Sequence, residues 1–83
     1  MSRNDTLYQK TVQVTEEYLG PAGERFIRRQ IATHLKIEPE LLRKRDLSEL
    51  IDWSSIAFAM VTSNTRDVDA FTDDLRALSL ESK

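Results

Sequence analysis

The amino-acid sequence predicts an all-α domain of four helices joined by short connections. Helix-breaking residues are scarce, because the 83 residues include only two Gly and two Pro, and three of these four lie together in Gly20-Pro21-Ala22-Gly23. Elsewhere, apolar residues recur every three or four positions, which is the spacing of one face of an α-helix. We therefore expect a compact four-helix bundle in a single domain over residues 1–83, with an ordered core over about 5–79.

The first two predicted helices meet at the Gly-Pro turn. Apolar side chains follow helical spacing over residues 5–19, and Gly20 suits the left-handed conformation that often ends a helix. Pro21 suits the first turn of a second helix over 21–36, because the N–H that proline lacks would be unpaired at that position. The second helix is predicted to be amphipathic, with an apolar inner face and a basic outer face.

A short turn around 39–44 is predicted to lead into a third helix over 46–62. Asp46 is its predicted N-cap, because Glu49 follows three residues later as in a capping box. The second half of this helix is apolar on all sides. It must therefore be buried on several sides or face a partner.

The fourth helix is predicted over 65–78, with Asn64 or Thr65 as its cap. Its apolar positions form the most regular helical stripe in the chain, and charged residues occupy the remaining surface. The predicted core combines the apolar stripes of all four helices. It consists of Leu7, Val14, Tyr18, Phe26, Ile27, Ile31, Leu35, Leu42, Leu47, Leu50, Ile51, Ile56, Phe58, Val61, Val68, Phe71, Leu75 and Leu78.

Charge is distributed unevenly along the chain. Residues 25–45 carry a net charge of +5 and residues 46–83 a net charge of −5, although the whole chain carries only −2. This asymmetry indicates either a basic patch that meets an acidic partner or pairing between neighbouring helices. A nucleic-acid interface is a further alternative. It is disfavoured because the chain is acidic overall and only 7% aromatic, so few rings can stack on bases.

No residue pattern indicates catalysis, and we expect no enzymatic activity, metal or cofactor. The chain has no Cys, and its single histidine, His34, has no partner ligands nearby in the sequence. Asp67-Val68-Asp69 begins like a calcium loop but lacks the required glycine. No apolar run is long enough to span a bilayer and no secretory signal is visible, so we expect a cytoplasmic protein without a membrane partner.

Two segments resemble known families. Tyr18-Leu19-Gly20-Pro21-Ala22, followed by Phe26, resembles the short helical accessory modules marked by Tyr-x-Gly-Pro-x-Ala, which accompany kinases and other signalling proteins in bacteria. The resemblance covers about a dozen residues, and Gly23 stands near a position where these modules often repeat a small apolar residue. It implies a non-catalytic adaptor in a bacterial signalling system.

The second resemblance is to acyl carrier domains. Residues 31–42 are similar to the end of a carrier's first helix and its connector, and Ser54-Ser55-Ile56 lies where a carrier has its Asp-Ser-Leu phosphopantetheine site. The resemblance implies that Ser54 or Ser55 would carry the arm. Trp53 or Ser54 replaces the aspartate of the carrier motif, and only 28 residues follow Ser55, so room for a carrier's last helices is short.

We therefore expect a non-enzymatic interaction or regulatory module that acts through a helix surface on a protein partner or on a second copy of itself. The basic face of the second helix would steer an acidic partner, and Trp53 or Met60 would be the apolar anchor. Trp53 is alternatively a core residue beneath a neighbouring helix. The predicted partner-binding residues are Arg25, Arg28, Arg29, Lys36, Trp53 and Met60.

Overall fold

A computed structural model describes residues 6–80, and these residues form an all-α fold without a β-strand among them, as predicted. These residues form three long α-helices, which are α1 (Leu7–Leu19), α3 (Lys44–Val61) and α4 (Thr65–Leu80). A shorter α-helix, α2 (Gly23–Gln30), lies between α1 and α3 in the sequence. The predicted helix start at residue 5 and the predicted domain ends at 1–5 and 81–83 lie outside the described residues.

The prediction of four regular helices is wrong for the second helix, which is a composite of three helical types. A 3₁₀ turn (Gly20–Ala22) precedes α2, and a π-helical turn (Ile31–Leu35) follows it. The N–H of Lys36 closes the π turn by donating to the carbonyl of Ile31 at 2.9 Å. Lys36 then ends the helix in the left-handed conformation, with φ of 57°. Nothing in the sequence indicated this ending, because glycine usually occupies such a position.

Side-chain hydrogen bonds cap the N-terminal ends of α1 and α4. The Thr6 hydroxyl accepts from the N–H of Gln9, and the Gln9 side chain accepts from the N–H of Thr6, which together form a capping box for α1. Asn64 caps α4 through its side-chain oxygen, as predicted, by accepting from the N–H of Arg66 at 3.0 Å.

The prediction that Asp46 is the N-cap of the third helix is wrong, because α3 begins two residues earlier, at Lys44. Arg43 occupies the N-cap position, and its N–H donates to the Asp46 carboxylate at 3.1 Å. Asp46 therefore closes the first turn from inside the helix, where a negative charge also interacts favourably with the helix dipole.

The helices surround one core in the order α1, α2, α3, α4, with α4 packed on both α1 and α3. Four aromatic rings meet at its centre in edge-to-face contacts, the closest being Phe58 and Phe71 at 4.9 Å between centroids. The buried apolar residues are Tyr8, Ile27, Ile31, Leu42, Leu47, Leu50, Ile51, Phe58, Phe71, Leu75 and Leu78. Partly buried apolar residues packed around them are Leu7, Val12, Val14, Tyr18, Leu19, Phe26, Leu35, Ile37 and Val68.

The predicted core is wrong at Ile56 and Val61, which are both exposed. Helix α3 buries only one face, and Ile56 lies two positions from the buried Phe58, on nearly the opposite side of the helix. The prediction omitted Tyr8, which is buried with its hydroxyl bonded to Glu24. On α1 and α3, burial therefore depends on where a residue lies on its helix and not on apolar character alone.

Candidate functional site

Helix α3 carries a second apolar face, which stays largely exposed among residues 6–80. Trp53, Ile56, Met60 and Val61 are 39%, 54%, 82% and 65% exposed, respectively. Trp53, Ile56 and Met60 lie along one side of the helix, opposite the buried face that contains Phe58, whereas Val61 is the last residue of α3 and lies on the side of the buried face. We call Trp53, Ile56 and Met60 the α3 stripe. Apolar side chains grouped in this way on a small protein are typical of an interaction surface.

The π turn positions one end of the α3 stripe. It carries His34, whose imidazole stacks on the indole of Trp53 with 4.0 Å between ring centroids and 3° between planes. His34 is half-buried, and Trp53 keeps part of its ring in solvent. The two alternatives for Trp53, core residue and exposed anchor, are thus combined: one side of the indole packs within the protein and the rest remains accessible. Short π turns occur frequently at functional sites.

The predicted basic residues are exposed, and one of them, Arg28, has partners on two helices. Arg28 points towards α1, where its Nε donates to the Tyr8 hydroxyl at 3.4 Å. Its guanidinium also pairs with Glu24 at 3.4 Å, one turn back along α2. The hydrogen bond to Tyr8 is the main cause that raises the pKa of Arg28. Arg28 is thus partly engaged in holding α2 on α1.

Arg25, Arg29 and Lys36 are exposed and make no ion pair within residues 6–80. Arg25 shares a surface depression with Arg28, between Pro21 and Glu24. Across the described part of the chain, no hydrogen bond, ion pair or ring contact joins these cations to Trp53 or Met60. Arg25, Arg28 and Arg29 thus form a basic face on α2, and the apolar stripe belongs to α3.

Pairing of the basic face with the acidic fourth helix, one of the predicted alternatives, does not occur within residues 6–80. Two carboxylates of α4 have other partners: Asp74 accepts from the Tyr18 hydroxyl, and Asp73 pairs with Arg76 on the same helix. Arg25 and Arg29 are instead solvated. On α3, Glu49 and Asp52 are likewise exposed and make no ion pair with any described residue.

The two serines considered for phosphopantetheine attachment point into the protein. Ser54 is fully buried, and its Oγ has no hydrogen-bond partner among residues 6–80. Ser55 is half-buried, and its hydroxyl shares a 2.6 Å hydrogen bond with that of Thr72 on α4. Attachment of the arm requires a hydroxyl that an enzyme can reach, and Ser54 does not offer one in the folded chain.

No protein-family model, curated protein or solved structure matches this chain. None of the helices within residues 6–80 has the length and apolar character needed to cross a membrane. The candidate site thus stands on its geometry alone. The sequence already contained the spacing of Trp53, Ile56 and Met60, but the apolar residues between them concealed which side of α3 would be exposed.

Proposed function

We propose that this protein is a non-enzymatic protein–protein interaction module and that the α3 stripe is its docking surface. The observation that carries the proposal is the exposure of Ile56 and Met60 on a helix whose opposite face forms the core. Leaving large apolar side chains in water forgoes the stabilisation that their burial would bring, roughly 1.5 to 3 kcal/mol for each one fully buried. A docking partner would recover part of it.

Helix-mediated docking suits the chemistry of the stripe. An apolar helix face is recognised through side chains about three and four positions apart, which is the arrangement of Trp53, Ile56 and Met60. Tryptophan is among the residues that most often dominate binding energy, and methionine adapts its shape to a partner. The stacking of Trp53 on His34 holds the indole in place before binding, which reduces the entropy lost on association.

The basic face of α2 has a different part in this proposal. Arg25 and Arg29, exposed and without ion pairs within residues 6–80, would attract an acidic surface and raise the association rate at low salt. The resemblance of residues 18–22 to accessory modules of bacterial signalling proteins is consistent with an adaptor of this kind. Such an adaptor needs neither a cofactor nor a catalytic group.

Site-specific photocrosslinking in cells of the source organism tests the proposal. A photoreactive amino acid at Met60 should give covalent adducts with one or a few proteins, whereas the same group at Leu41 should not. Leu41 is a matched control because it is also apolar and 61% exposed, but it lies outside α3. Equal crosslinking from both positions, or none from Met60, would contradict a docking role for the stripe.

A further inference from the structure

We infer that the partner of the α3 stripe is the α3 stripe of a second copy, in a two-fold symmetric dimer in which the basic face of each α2 meets the acidic residues beside the other stripe. This inference rests on the proposed function, because it assigns an occupant to the same surface. Two features support it: the spacing of the apolar side chains in the stripe, and the opposite charges that a single copy leaves unpaired within residues 6–80.

The stripe is suited to pack against itself. Two-fold dimers use the same patch on both subunits, so the patch must be complementary to its own copy. Trp53, Ile56 and Met60 repeat at three and four positions, which is the seam of two helices packed side by side. Large side chains alternate there with the smaller, half-buried Ala57, so that side chains of one helix can enter the gaps of the other.

The charges beside the stripe are also complementary between copies. Glu49 lies one turn before Trp53 on the same side of α3, and Asp52 lies beside it; both are exposed, without an ion pair in the described chain. Arg25 and Arg29 on α2 are exposed and equally unpaired within residues 6–80. A single copy thus leaves both signs of charge unpaired, and a second copy supplies the opposite sign to each.

The apolar area of the stripe is too small to form the whole dimer interface, so the charged residues beside it are expected to belong to that interface. The three side chains of the stripe expose on the order of a few hundred Å², comparable to the largest apolar patch of a typical monomer. A stable interface buries roughly 800 Å² on each partner. The stripe alone is smaller, so the charged residues around it must contribute. We therefore expect a weak, reversible dimer whose affinity falls as salt is added.

Sedimentation equilibrium on the purified full chain tests the inference. The wild-type chain should dimerise reversibly at micromolar to millimolar concentration. Met60→Asp should weaken dimerisation by about tenfold or more, because it places a charge in the apolar contact. Leu41→Asp, the same change at an exposed apolar position outside α3, should leave the dissociation constant within about twofold of wild type. Circular dichroism verifies that both variants fold.

Charge reversal tests the arrangement of the two copies. Chains with Arg25→Glu and Arg29→Glu, or with Glu49→Lys and Asp52→Lys, should each dimerise several-fold more weakly alone, because like charges then face each other. An equimolar mixture of the two variants should recover the wild-type affinity, since every contact is again between opposite charges. Absence of recovery in the mixture would overturn the proposed pairing of α2 with α3.

Sedimentation and crosslinking together distinguish an error in the proposed dimer from an error in the proposed docking function. If the wild-type chain remains monomeric at millimolar concentration while Met60 still crosslinks to a different protein in cells, the second copy is excluded and the docking function stands. If it is monomeric and Met60 gives no adduct, both proposals fail. Crosslinks from Met60 to the same chain, lost on dilution together with the dimer, support both.

Discussion

The hydroxyl of Tyr18 donates a 2.6 Å hydrogen bond to the carboxylate of Asp74 and thereby joins α1 to α4 at the edge of the aromatic core. The bond to Asp74, followed by partial burial, raises the pKa of Tyr18 to about 12. The neutral phenol is therefore the form that the fold stabilises. Its ring also contacts Phe58 and Phe71, so the residue connects a surface hydrogen bond with the core.

This hydrogen bond predicts a specific pH dependence of stability. Because the pKa of Tyr18 is about 10 in the unfolded chain and higher in the folded one, its contribution is complete below pH 10 and is lost as the pH rises towards about 12. Tyr18→Phe keeps the ring contacts and removes the bond. We expect it to cost about 1 kcal/mol of unfolding free energy at pH 7, since the bond is exposed.

Urea unfolding of both chains between pH 7 and pH 11.5 measures this effect, and the difference between them isolates Tyr18 from other groups that titrate in alkali. The advantage of the wild-type chain should shrink above pH 10. A difference that stays constant up to pH 11.5 would show that the hydrogen bond does not hold the phenol in its neutral form.

Neighbouring serines on α3 should respond oppositely to the same substitution. Ser54 is buried with its hydroxyl unpaired among residues 6–80, so Ser54→Ala should stabilise the fold by about 1 kcal/mol. Ser55→Ala removes the hydrogen bond to Thr72 and should cost about 1 kcal/mol. Thermal unfolding of the two variants and of the wild-type chain measures both changes in stability. Destabilisation by Ser54→Ala would mean that its hydroxyl is paired in solution.

The two glycines of the Gly-Pro turn should differ in their tolerance of alanine. A Cβ at Gly23 would lie 2.8 Å from the backbone nitrogen of Glu16, so the close approach of α2 to α1 requires glycine, and Gly23→Ala should cost about 3 kcal/mol. Gly20 has open space around it, but its φ of 66° and ψ of −146° lie outside the predicted left-handed helical region and near one that essentially only glycine adopts, so Gly20→Ala should cost about 2 kcal/mol through backbone strain.

A double variant shows which atoms cause the cost at Gly23. The Cγ of Glu16 would also lie 2.8 Å from the added Cβ, whereas the backbone cannot be removed by mutation. Glu16→Ala should therefore fail to rescue Gly23→Ala in chemical denaturation. Recovery of most of the lost stability would assign the conflict to the Glu16 side chain and not to contact between the helix backbones.

Most of the fold could be predicted from the sequence because local signals agreed with packing. The spacing of Phe71, Leu75 and Leu78 indicated the buried face of α4, and Asn64 is its cap. The π turn could not be predicted in this way. Its left-handed end at Lys36 depends on how Ile31 and the residues after it pack in the folded chain, which no local pattern records.

The candidate site was predicted less completely than the fold. Met60 and Trp53 were identified as possible anchors, and both are exposed, but Ile56 and Val61 were assigned to the core. Hydrophobicity cannot distinguish a helix face that is buried in the core from one that would be covered only by a partner, because both consist of apolar side chains. The His34–Trp53 stack was not predicted either, since it joins two helices far apart in the sequence.

A dilution series of amide NMR spectra of the isotope-labelled chain tests self-association through the α3 stripe. The chain has one tryptophan, so the indole N–H of Trp53 gives a single resolved signal. We predict that dilution shifts this signal and the amides of Ile56 and Met60, and that Met60→Asp abolishes these shifts. Spectra that do not change from millimolar to micromolar concentration, or that change only on α1 and α4, would contradict self-association through the α3 stripe.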